Sequence, residues 1–295
     1  LAQFSGDIQE LVQLKRRNLE ETAAVGELNA GDLYGLITWA ELHELGLEDG
    51  EVSAGFLGGL ARLAMDRLDG DARERFLINS ALDIFRLRTH TGDLEAAERA
   101  LKWAKARSPA SHRHDTIYAD HLMLQSSLDR RRGRVDEAFR KVDEAAAIGR
   151  SMLEIDPEDL RARFIVATAP ARRALIYRGL GDRKRELEEL EKSLPAIRRL
   201  LEDSDGNFLV KRRLTTALLY ADRIEEARPL VADLIEKGYR QRRLLELAAA
   251  RGVLPDPLPP PPHVDRSIPP RLQAAFDAVA HLELPWESDE PAAGL

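Results

Sequence analysis

The chain has 295 residues, with 44 Lys and Arg against 51 Asp and Glu for a formal charge of −7, only 5% aromatic residues and no cysteine. Without Cys there is no disulfide scaffold, no thiol nucleophile and no thiolate-bound metal. The negative balance argues against a general nucleic-acid binder, and no run of about 18 uncharged apolar residues is present to span a membrane. The length accommodates one elongated or two compact domains with ample apolar material for a core.

Apolar residues recur at three- and four-residue spacing almost throughout, and no stretch of alternating β-branched residues interrupts them, so the sequence predicts an all-α protein. Ile8, Leu11, Val12 and Leu19 mark a first stripe that ends at Gly26. Asp32 is placed to cap a second helix through Leu33, Leu36, Ile37 and Ala40, stopped by Gly46. Ser53 is placed to cap a third, carrying Phe56, Leu57, Leu60, Leu63 and Ala64. Gly58 and Gly59 weaken that helix by about 1 kcal/mol each relative to Ala, or permit a close helix contact. These first seventy residues read as a helical cap or divergent repeats.

From Asp71 onward the helices pair. A helix through Phe76, Leu77, Ala81, Ile84 and Phe85 breaks at Gly92, and similar breaks follow at Gly133, Gly181 and Asp222, roughly 40 to 50 residues apart. Five, nine and twelve residues after each break stand Ala97, Leu101 and Ala104; Ala138, Val142 and Ala145; Glu186, Leu190 and Ser193; Ala227, Val231 and Leu234. Small residues at the outer positions let two helices approach while the large one fills the gap. This pattern resembles the second helix of a tetratricopeptide repeat, and Ala174 and Tyr177 match the small and aromatic positions of its first helix. Glu186 and Leu234 depart from the pattern, only the first unit has the terminal Pro109, and the period exceeds the usual length of about 34 residues.

The resemblance covers residues 71–252 and implies a right-handed superhelical solenoid of stacked antiparallel helix pairs. Pro195 and Pro229 fall inside predicted helices and should kink them, whereas Pro170 is expected to divide a lead-in segment from a first helix. Residues 253–268 form a Pro-rich linker. Residues 269–295 comprise a capping helix over 270–284, with Leu272, Ala275, Phe276 and Val279 on its apolar side, and a disordered tail. Terminal repeats need such a cap, so an intramolecular contact of residues 270–284 with the solenoid is expected.

No chemistry-bearing motif survives inspection. Ser111, His112, Arg113, His114 and Asp115, with His121 beyond, have metal-ligand spacing, but capping at a helix junction is the simpler reading, so no metal is expected. The Asp203–Asn207 stretch lacks the terminal Glu of a calcium loop. Gly55, Gly58 and Gly59 lack the strand and Lys of a phosphate loop, and no nucleophile elbow occurs. The expectation is a non-enzyme without cofactors.

In a tetratricopeptide-like stack the first helix of each pair lines the concave face, which here carries Asn79, Arg86, His90, Asp120, Met123, Ser127, Arg130, Arg131, Thr168, Arg178, Arg212, Thr216 and Tyr220. Five Arg against one acid in a chain of charge −7 suggest a groove for an acidic peptide or C-terminal carboxylate, which Arg forks bind at two points. The Lys211–Arg213 and Arg240–Arg243 runs are otherwise solvated helix ends. The reading is a protein- or peptide-binding scaffold, with no nucleic-acid partner and no membrane insertion. The start at Leu1 and the likeness to repeat regions of bacterial regulators suggest the interaction module of a larger, cytoplasmic protein, although a Cys-free chain suits the periplasm too. The alternative is a ligand-sensing domain that switches an attached effector.

Overall fold

The computed structural model describes residues 50–107, 116–204, 206–239, 241–258, 268 and 270–287. The helices expected before residue 50 and the His112, His114 and Asp115 cluster lie outside them. The described residues form eleven helices and no strand: α1 (Gly50–Arg67), α2 (Gly70–Thr91), α3 (Leu94–Arg107), α4 (Thr116–Arg131), α5 (Val135–Ile155), α6 (Leu160–Gly179), α7 (Arg183–Asp203), α8 (Phe208–Tyr220), α9 (Ile224–Glu236), α10 (Arg242–Ala250) and α11 (Pro270–Val279). None of them is long and apolar enough to cross a membrane. The described helices fall in two compact units, α1–α3 with α11, and α4–α10, and within each unit consecutive helices from α1 to α3 and from α4 to α9 pack against one another.

The breaks between paired helices share one backbone solution. Gly92, Gly133, Gly181 and Asp222 all have positive φ, at 97°, 75°, 74° and 59°. At the last three, the amide three residues past the helix reaches back five residues: Arg134 to the Asp129 carbonyl (2.8 Å), Asp182 to Tyr177 (3.0 Å) and Arg223 to Leu218 (3.0 Å). The amide before it reaches back three, from Gly133, Gly181 and Asp222. This paired arrangement satisfies the terminal carbonyls and reverses the chain in three residues. Asp93 then caps α3, its carboxylate accepting from the Ala96 amide at 3.1 Å, and Asp159, Asp182 and Asn207 cap α6, α7 and α8 in the same manner.

The repeated positions are core. Ala97, Ala104, Ala138, Val142, Ala145, Leu190, Ala227, Val231 and Leu234 are all buried. In the α4–α10 unit, Ala138, Val142 and Ala145 of α5 meet Leu122 and Met123 of α4 and Ile165 and Ala169 of α6. Gly149 permits the closest approach: a Cβ there would lie 2.9 Å from Val166 and 3.2 Å from Ile165.

Three details differ from the sequence reading. Helix α1 begins before Ser53, so that residue lies within the first turn and is not the cap. Pro170 sits inside continuous α6, as Pro195 and Pro229 sit inside α7 and α9. Pro170 cannot donate to the Val166 carbonyl; one residue on, the Ala167 carbonyl accepts from the buried Ser193 hydroxyl at 2.6 Å, a bond that ties α7 to the α6 backbone here. Helix α11 ends at Val279, five residues short of the expected Leu284, with Leu272, Phe276 and Val279 buried.

Candidate functional site

Helices α4, α6 and α8 are the first members of their pairs, and α6 lies against both of the others. Two contacts fix α4 and α6 as parallel: Asp120 with Arg161 (2.6 Å) near their starts, and Ser127, whose hydroxyl accepts from Arg172 (3.0 Å), further along. At the far end of α6, the Arg178 guanidinium lies over the Tyr220 ring of α8, 4.3 Å from its centroid. The C-terminal ends of α4, α6 and α8 therefore present Arg130 and Arg131, Arg178, and Tyr220 respectively.

The predicted face is only partly surface. Met123 and Thr168 are buried in the core, and the Thr168 hydroxyl donates to the Phe164 carbonyl at 2.8 Å. Thr216 likewise donates to the Arg212 carbonyl at 2.9 Å, so neither hydroxyl serves a ligand. Asp120 is engaged by Arg161, and Arg212 is half-buried on α8. Asn79, half-buried, lies on α2 in the other unit together with Arg86 and His90, whose side chains are outside the described set.

Below Arg178 opens a cleft of about 320 Å³ lined by Arg178, Gly181, Arg183, Glu186, Asp222 and Arg251. Glu186, at a position the repeat pattern reserves for a small residue, is 3% exposed and accepts from Arg178 at 3.3 Å and from Arg183 at 2.9 Å. Arg183 also donates to the Tyr220 carbonyl at 2.9 Å and pairs with Asp222, which Arg251 engages from α10's end. The Glu186 hydrogen bond, ahead of the opposing effect of burial, raises the Arg183 guanidinium above its ordinary value. Each of the cleft's three arginines is engaged by Glu186 or Asp222, so these pairs brace the α6–α7 and α8–α9 turns, with one formal positive charge in excess. The sequence signal for it was Glu186 itself, since a carboxylate in a small-residue position must be paired to be buried.

The uncompensated charge lies beside it. Arg130 and Arg131 are half-buried at the end of α4, and the exposed Arg243 in the first turn of α10 is close enough to act electrostatically on both. Burial first, and then the Arg243 charge, push both guanidinium groups below their ordinary value; Tyr220 works in the opposite direction at Arg130, and Arg130 adds to the depression at Arg131. Arg130 and Arg131 remain cations, because a guanidinium does not lose its proton in a protein. Among the described residues none of the three arginines has a carboxylate partner or a hydrogen bond. Helix α10 has no acid in its first turn to offset them. Arg243 belongs to a run that sequence reasoning took for a solvated helix end, because nothing local shows that α10 returns to the end of α4. Among the described residues no group of three His, Asp or Glu is arranged to hold a metal ion. Comparison of the chain with protein-family models, curated proteins and solved structures finds no match in any of the three.

Proposed function

We propose that the chain is a tetratricopeptide-like right-handed solenoid, with repeats over 71–252, and that its first-helix face binds an acidic protein segment as the interaction module of a larger protein. One observation carries the binding reading: Arg130, Arg131 and Arg243 are brought within electrostatic reach from two helices distant in sequence, and among the described residues their guanidinium groups form no ion pair. Like charges gathered in this way cost folding free energy, and a partner carboxylate removes that cost on binding. The shared position of the helix breaks and the burial of every small-residue position in the pattern support the repeat reading. No catalytic group or cofactor belongs to the proposal.

The test is fluorescence anisotropy with a labelled peptide rich in Asp and Glu and ending in a free carboxylate. Binding weakens as salt is added, and Arg130→Ala or Arg243→Ala lowers affinity about tenfold, the worth of one charge-assisted bond. Arg178→Ala has a smaller effect, since that side chain already serves Glu186 and Tyr220. Amidating the peptide's C-terminus separates a carboxylate-end reader from a reader of internal acids. Absence of binding, or affinity indifferent to both Arg130→Ala and Arg243→Ala, overturns the reading.

A further inference from the structure

In the α1–α3 unit the C-terminal segment is seated in a groove shaped to it. A Cβ on Gly59 would fall 2.8 Å from the Phe276 ring, and one on Gly58 would lie 3.5 Å from Leu284. Phe56 meets Phe276 edge-on at 5.5 Å, and Trp103 of α3 meets Trp286 at 5.2 Å. Arg62 completes the seat with polar anchors: its Nε donates to the Leu282 carbonyl at 2.7 Å, and a terminal nitrogen pairs with Glu287 at 3.1 Å.

This pairing differs in kind from the rest of the described fold. The other main helix contacts among the described residues join neighbours in sequence or the next pair along, whereas Arg62 and Leu282 are 220 residues apart. Neighbouring helices cannot be exchanged between molecules without unstacking a unit; the seated segment can, because no other described helix depends on it for its turns or caps. The connection favours exchange as well. Eleven residues separate Leu258 from Pro270, five of them Pro, including Pro259–Pro262. Such a tether holds the segment on its own molecule only at a finite effective concentration, against which a second molecule competes.

We propose that the groove formed by α1 and α3 is also the docking site for residues 270–287 of a second copy of this chain, so that two molecules exchange their C-terminal segments. The contacts are the same within one molecule and between two, so protein concentration against the tether's effective concentration decides which form prevails. The inference is independent of the arginine face.

Two full-length variants test it. Gly59→Leu fills the groove and leaves the segment intact; Phe276→Ala with Trp286→Ala blunts the segment and leaves the groove open. Each alone is monomeric by light scattering, and an equal mixture yields a one-to-one heterodimer, since one variant supplies the segment and the other the groove. A mixture that stays monomeric, while circular dichroism shows both variants helical, overturns the proposal. If either variant loses its helicity, the unaltered chain decides the matter. Refolded at high concentration it yields a dimer that survives dilution, and refolded at low concentration a monomer; monomer under both conditions overturns the proposal.

Discussion

Asp222 stands where the three preceding breaks have Gly, and its φ of 59° is strained for a residue with a Cβ. Its carboxylate is taken by Arg183 and Arg251, so the side chain is retained for pairing while the backbone is disfavoured. The two contributions separate by substitution. Asp222→Ala keeps the strain and loses both ion pairs, and should lower stability by about 1 kcal/mol. Asp222→Gly loses the same pairs and removes strain of about 1 kcal/mol, leaving stability near the original. Urea melts of the three proteins measure the difference; equal losses in both variants would show that the backbone at this turn is unstrained.

Among the helices, α5 and α6 show what small residues do. Their approach at Gly149 leaves no room for a methyl group beside Val166 and Ile165. Gly149→Ala gains helix propensity of about 1 kcal/mol but overpacks the contact at a cost of about 1–3 kcal/mol. The expected outcome is a net loss in chemical denaturation, and a gain would mean that Val166 can turn aside freely. This level of organisation was the most legible in the sequence: the helix breaks at Gly133 and Gly181 and the burial of Ala138, Val142 and Ala145 all follow from local spacing. Pro170 lies inside continuous α6, and the nearby Ala167 carbonyl is met by Ser193 of α7, a long-range contact that no local signal announces. Of the arginine face, helix positions were legible and partnerships were not. Arg178 and Thr216 project from the expected helices, yet one is committed to Glu186 and the other to its own backbone. Arg243 became visible only once α10 had returned to α4.

Across the whole molecule, local packing sets how disturbances spread. Gly149 lies at the α5–α6 contact and Asp222 at the α8–α9 turn, with no shared partners. Their stability losses should therefore add to within about 0.5 kcal/mol in the Gly149→Ala, Asp222→Ala double variant. A larger discrepancy in denaturant unfolding would reveal coupling through the intervening helices. The charge is unevenly distributed as well: a chain of −7 gathers Arg130, Arg131 and Arg243, which form no ion pair among the described residues, so affinity for an acidic partner need not follow the net charge. The contact between Trp103 and Trp286 has a practical consequence. The chain has three tryptophans, and two of them stack edge to face only when the C-terminal segment is seated. Their coupled near-ultraviolet circular dichroism gives the protein a built-in optical gauge of seating, readable without a label.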